Sequence, residues 1–248
     1  MSTRGVVDIV FLLDASDSMR PCIEGVRQHL GDFIRGLESG GQQRMDYRLD
    51  FLAHCCDQSG GPFMLRSLRH TGADILPALY RPGKPHTFFT TSAEELRLAL
   101  QQVQVAGDEA TLVALDFALD FPWRPRSTCH RVVICLTDEP LETGALVAEQ
   151  RARLSQIIDK IQALGVMLFL VGPPSDAYSV LAEADKSEYQ EIDATGDGLR
   201  TVDFGKVLAF IGKTISMASQ TAGEERGVQR ALFGQDSWGA TDASISGR

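Results

Sequence analysis

Five residues near the start of the chain, Asp14-Ala15-Ser16-Asp17-Ser18, put carboxylate and hydroxyl groups at alternating positions of one turn. Asp14, Ser16 and Ser18 would supply three oxygen donors from that turn. Hard cations such as Mg²⁺ take oxygen ligands in octahedral array and keep part of their water. Hydroxyls are neutral ligands, so an ion held by them keeps uncancelled charge and readily takes a further oxygen. The same residue types also build plain Asp/Ser turns, whose side chains bond backbone N–H groups at the start of a helix. On these five residues alone, both readings stand.

The pattern D-x-S-x-S resembles the metal-ion-dependent adhesion site (MIDAS) of von Willebrand factor type A domains. That motif also has a threonine in a loop before a helix and an aspartate closing a central buried strand. Here Gly107-Asp108-Glu109-Ala110-Thr111 opens a helical pattern, and Val132-Val133-Ile134-Cys135-Leu136-Thr137-Asp138 ends a strand pattern, in the expected order. In an open sheet, ligand sites gather at the carboxyl ends of parallel strands, and right-handed crossovers would bring these three loops together there. The resemblance spans about residues 5–218. It implies that Asp14, Ser16, Ser18, Thr111 and Asp138 hold Mg²⁺, or Mn²⁺ or Ca²⁺ in its place, with the aspartates acting at least partly through water. What it implies is binding, not catalysis: the ion's open position accepts a carboxylate from a partner protein. Cytosolic bacterial proteins of this type often accompany AAA+ ATPases of the MoxR group, or kinase and phosphatase modules in stress and defence operons. The resemblance therefore points to a cytoplasmic adaptor with a partner of that kind.

The chain departs from the family pattern at two places. Asp17 and Glu139 stand where glycine is frequent, and with Asp108 and Glu109 they make the rim acidic. Such a rim favours cation capture and weakens attraction for an acidic ligand, so the partner is expected to bring basic groups beside its carboxylate. The segment 57–85 carries Arg66, Arg69, His70, Arg81 and Lys84 against Asp57 and Asp74. It leaves from the strand end that faces the metal, and its arginines are expected to flank the site and offset the rim. Asp17, Asp108, Glu139, Arg66 and Arg69 are thus the candidate partner-contacting residues.

The elements that must position these groups follow from apolar runs alternating with helical patterns, the mark of an α/β fold with a doubly wound, mostly parallel sheet and helices on both faces. An antiparallel edge strand is also expected. The first strand covers Val6–Leu13. A helix follows with Ile23, Val26, Leu30, Phe33, Ile34 and Leu37 on one face, stopped by Gly40-Gly41. In Met45–Ala53, Tyr47, Leu49 and Phe51 alternate with Asp46, Arg48 and Asp50, which predicts a strand exposed on one face near a sheet edge. Thr87–Thr90 reads as a short strand, followed by a helix with a Ser92/Glu95 capping box. Helices are predicted over Thr111–Leu119, from about Leu146 to Leu164 with Gly165 as stop, and at Phe204–Ile215. Strands are predicted at Val132–Leu136, Val166–Val171 and, weakly, Tyr189–Ile192. The segment 57–85 reads as a long loop inserted in a domain spanning 5–218. Residues 220–248 read as a tail, through which Asp236 or Asp242 would reach a metal site in cis or in a neighbouring molecule and so support self-association.

Composition narrows the function classes. The 248 residues are 44% hydrophobic and carry 33 acids against 24 bases, net −9, which disfavours nucleic-acid binding. The mean hydropathy of −0.07 and a longest apolar run of only Val166–Val171 exclude a bilayer-spanning helix. The opening residues lead into Asp8 and Asp14, so no signal peptide is expected. Five cysteines without a CxxC pair give neither a disulfide framework nor a zinc site. Cys135 is expected in the core. His54, Cys55, Cys56 and Asp57 are adjacent, and neighbouring strand residues point to opposite faces, so they cannot easily converge on one ion. Enzymes are poorly served: the aspartate after the first strand lacks the D-x-D of haloacid dehalogenase-type phosphatases, and no phosphate loop, G-x-G-x-x-G turn or G-x-S-x-G elbow is present. A scaffolding domain with a vestigial metal site is the nearer alternative, a metal-dependent hydrolase the more remote one.

Overall fold

The computed structural model describes residues 5–39, 45–56, 63–80, 87–192 and 203–220. Six strands form one sheet in the order β3-β2-β1-β4-β5-β6, with β1 (Val6–Asp14), β2 (Asp46–Cys55), β3 (Met64–Ser67), β4 (His130–Leu136), β5 (Val166–Gly172) and β6 (Ser187–Glu191). All neighbours run parallel except β2 and β3. The expected antiparallel edge is therefore β3, and it comes from the 57–85 insertion, which is not a structureless loop.

Alternate residues of the central strands feed two cores. Ile9, Phe11 and Leu13 of β1 pack with α1 (Arg20–Ser39), α3 (Ala93–Leu100) and α7 (Phe204–Gln220) on one face. Val10 and Leu12 face α2 (Ile75–Tyr80), α4 (Thr111–Leu119), α5 (Val147–Leu164) and α6 (Asp176–Ala182) on the other. Cys135 lies in this second core, as expected, and burial pushes its thiol up. Helices α1 and α7 touch backbone to backbone. A Cβ on Gly36 would sit 2.5 Å from the Ala209 carbonyl oxygen, and one on Gly212 would sit 2.5 Å from that of Phe33. Gly165 ends α5 with φ +64, the left-handed cap its position required.

Three expectations need correction. Strand β2 lies next to the edge strand β3, and Asp46, Tyr47 and Arg48 at its start are half-buried, but from Leu49 onward it is buried throughout, Asp50 included, instead of exposing one face. Arg48 donates from Nε to Asp8 at 2.8 Å. Asp50 is fully buried and accepts the N–H groups of Phe51, Leu68 and Phe89 at 2.8, 3.0 and 2.9 Å, which clips the insertion to the sheet. Thr87–Thr90 makes no strand, only a single antiparallel bridge from Thr90 to Leu49. The capping box at α3 is half formed. Ser92 accepts the Glu95 N–H at 3.1 Å, while the Glu95 carboxylate turns to Thr90 and Arg69 instead of Ser92 N–H. The Gly40-Gly41 stop and residues 221–248, with Asp236 and Asp242, lie outside the described residues.

Candidate metal centre

Strand register sets the site. Leu13 of β1 pairs with Leu136 of β4, so Asp14 and Asp138 emerge at the same carboxyl edge of the sheet. Past β1 the chain makes a tight turn in which Asp14 Oδ1 accepts the Ser16 N–H at 2.7 Å. Met19, fully buried, anchors the short 3₁₀ turn Asp17–Met19 that follows. The two serine hydroxyls then lie 3.1 Å apart, and Ser18 Oγ donates to Asp138 Oδ1 at 3.1 Å. Thr137 Oγ1 reaches the second oxygen of Asp14 at 3.3 Å.

The third loop is tied to the first two by backbone. The Ala106 N–H donates to the Ala15 carbonyl at 2.9 Å, and Asp108 exchanges two backbone bonds with Cys56, 2.7 and 2.8 Å, at the end of β2. Gly107 takes φ +72 to make the turn between them. Helix α4 has no side-chain cap of its own. Its Leu112 N–H is met by the buried side chain of Gln150 from α5 at 2.8 Å, and the same amide donates to the Ala145 carbonyl at 2.6 Å. Thr111 is thereby fixed at the first turn, 1% exposed, with its Oγ1 buried and without a hydrogen-bond partner. The Tyr178 hydroxyl lies close enough for the Thr111 and Thr137 hydroxyls to lower its pKa against the larger rise from burial. It donates its own proton to the Glu139 carbonyl at 3.2 Å, so the Thr111 oxygen receives none from it.

The floor is oxygen-rich, and no lysine or arginine of the described residues is ion-paired with Asp14 or Glu109. Burial pushes the Asp14 carboxyl up to about 7, and the charge of Asp138 adds to this against the hydrogen bonds from Ser16 and Thr137. Glu109, 3% exposed, is pushed up to about 11 by burial, by its contact with Glu139 and by the charges of Asp14 and Asp108. Carboxylates in such surroundings hold protons where a divalent ion would otherwise supply the positive charge. The donor set therefore fits a hard cation, and the orphaned Thr111 oxygen is the clearest mark of that fit. Asp14, Ser16, Ser18, Thr111 and Asp138 would hold the ion.

Of the rim residues, Asp17 is exposed, and Asp108 and Glu139 are half-buried at the mouth. The insertion's arginines behave otherwise. Arg69 donates to Glu95 at 2.7 Å and to the Phe89 carbonyl at 3.2 Å, so its charge is spent on α3 and does not offset the rim. Arg66 reaches Gln102 at 2.7 Å. Antiparallel β3 runs back from the metal edge, so Arg69 follows its far end, whereas Arg66 stays beside Ala53, one residue below the level of Asp14. Among the described residues, His54, Cys55 and Cys56 form no metal-ligand group; the Cys56 thiol donates to the Asp108 carbonyl at 3.6 Å. Glu109, read from sequence only as rim charge, is in fact buried. The signal lay in α4, apolar on nearly every side, which sinks the residues just before it.

No family model and no curated protein matches the sequence. Solved structures do. A von Willebrand factor type A protein from Catenulispora acidiphila superposes with a TM-score of 0.54 at 14% identity, covering 86% of this chain and 43% of that one. Proximal thread matrix protein 1 from the mussel byssus gives 0.52 at 12% identity, covering 87% and 49%. A structure of the same mussel protein with a zinc-occupied MIDAS motif gives 0.49 at 14% identity, covering 85% and 47%. The chain thus spans less than half the length of these proteins. At such identities the likeness is one of architecture, and the architecture is that of a von Willebrand factor type A domain.

Proposed function

We propose that the chain is a metal-dependent protein-interaction module. A divalent ion held by Asp14, Ser16, Ser18, Thr111 and Asp138 would present an open coordination position to a carboxylate of a partner protein. The observation that carries this reading is the convergence of three loops on one sheet edge, with the Thr111 oxygen buried there and accepting no hydrogen bond. Mg²⁺, Mn²⁺ and Ca²⁺ all suit an oxygen-only donor set. The acidic rim of Asp17, Asp108 and Glu139 favours a partner whose carboxylate is flanked by basic groups. We read the site as non-catalytic. His54, in register with Asp14, is buried on both ring nitrogens, and burial lowers its pKa to about 3, which makes it a poor general base. An intracellular setting beside a bacterial ATPase or kinase/phosphatase system is part of the proposal. No described helix is long and apolar enough to cross a membrane. The test is affinity capture on the immobilised chain. A partner should be retained in millimolar Mg²⁺, released by EDTA and absent with Ser18→Ala. The same proteins retained under all three conditions would place the interface elsewhere.

A further inference from the structure

Beside this ligand set, three other carboxylates turn toward one point. Asp108 and Glu109 precede α4, Glu139 follows β4, and one oxygen from each lies within 4.8 Å of the other two. Oxygens bound to one Ca²⁺ sit about 2.3–2.6 Å from it, so any two are at most about 5 Å apart. All three can therefore touch a single ion. Proximity alone would mean little, because surface acids often cluster. Glu109 is different: it is 3% exposed, and its Oε1 is buried with no hydrogen-bond partner. A buried carboxylate oxygen without a donor is costly to leave unmet.

The backbone holds the group in place. The Glu109 carbonyl accepts the Ala145 N–H at 2.8 Å, and the side chain lies so close over Gly144 that a Cβ there would come within 3.4 Å of Oε1. Asp108 Oδ1 accepts the Glu109 N–H at 3.0 Å, and its main chain is bonded both ways to Cys56. None of the three acids is ion-paired with a lysine or arginine of the described residues. The floor of the pocket thus presents convergent, fixed carboxyl oxygens, with no cation among the described residues to meet them.

We propose that Asp108, Glu109 and Glu139 hold a second divalent cation, of the large, oxygen-seeking kind represented by Ca²⁺ and Mn²⁺. None of its ligands is shared with the first set, so this site stands whether or not the first one binds a partner. Its ligands flank Thr111 and Asp138 in sequence. An ion there would stiffen both loops and remove the acidic rim's repulsion of an incoming carboxylate. Calorimetric titration of the full chain with Mn²⁺, with free Mn²⁺ followed by its electron paramagnetic resonance signal, tests the assignment. The wild type should take up two equivalents. Glu109→Gln and Glu139→Gln should each weaken one of them at least tenfold, and Ser18→Ala should weaken the other. Circular dichroism in EDTA checks that each variant is folded, and the half-buried Glu139 tolerates the change even where Glu109 does not. A wild type with no equivalent that Glu139→Gln or folded Glu109→Gln weakens overturns the proposal. A single wild-type equivalent that these variants weaken and Ser18→Ala leaves unchanged would instead count against the first site.

Discussion

Asp138→Ala separates folding from ion binding at a single position. Without metal, the substitution removes the acceptor of the Ser18 hydroxyl, a 3.1 Å hydrogen bond at the mouth of the site. Such a bond contributes about 0.5–1.5 kcal/mol. It also removes a negative charge that, with burial, raises the Asp14 carboxyl to about 7. The two effects oppose each other, so the metal-free variant should stay within about 1 kcal/mol of wild type. With Mg²⁺ at a hundred times its Kd, an ion bound only to the folded state adds about 2.7 kcal/mol. Unfolding a chain of 248 residues releases roughly 0.5 kcal/mol/K of entropy, from about 2.1 cal/mol/K per residue. The wild-type Tm should therefore rise about 5 °C more than that of the variant when EDTA is exchanged for Mg²⁺. Scanning calorimetry in the two buffers measures this difference directly. An equal rise in both proteins refutes the assignment of Asp138 to the ion. A variant already unfolded in EDTA would show that Asp138 is a structural anchor.

Other predictions concern the frame. Gly212→Ala should destabilise the protein by about 2 kcal/mol or more in urea melts, because its Cβ would meet fixed Phe33 and Leu37 backbone at 2.5 and 2.9 Å. Gly31→Ala, facing only the Arg35 side chain at 3.6 Å, should instead stabilise helix α1 by up to about 1 kcal/mol; the opposite order would mean the helix contact is misplaced. Asp50→Asn puts an N–H against backbone donors and should cost about 1–3 kcal/mol, with faster hydrogen exchange at Leu68 and Phe89; unchanged exchange there would refute the clip. Asp8 is buried, which raises its pKa, but hydrogen bonds from Arg48 and Arg124 and their charges outweigh burial and hold it below 3.8. A depressed folded value means stability present above the unfolded pKa and lost as pH falls through the folded one. Wild type should therefore lose stability as pH falls below about 4, and Asp8→Asn should flatten that loss.

Where the sequence was legible, the reason was local. Asp14, Ser16 and Ser18 share one turn after an unbroken apolar run, and Asp138 closes another, so strand ends could be read as site edges. Asp50 misled for the converse reason. A buried charge with distant partners has the same alternation as a surface charge, and the amides of Leu68 and Phe89 lie 18 and 39 residues away. The insertion deceived in a similar way: β3 has only four residues and exists because β2 offers it an edge. Arg69 looked available to the rim because nothing in its neighbourhood announced Glu95. For Glu109 the all-round apolar α4 hinted at burial, but the cover comes from Gly144 and Ala145 folding over it, contacts that spacing does not encode.

Gln150 gives the centre a component that none of its loops contains. This one amide from α5 holds the first turn of α4 and the Ala145 carbonyl together, and through them the placement of Thr111 and the cover over Glu109. The three ligand loops are therefore not a portable cassette. Grafted onto another sheet of the same topology, they would carry every oxygen of the site and still lack the brace that sets one of them, unless the recipient helix brought a glutamine at the matching level.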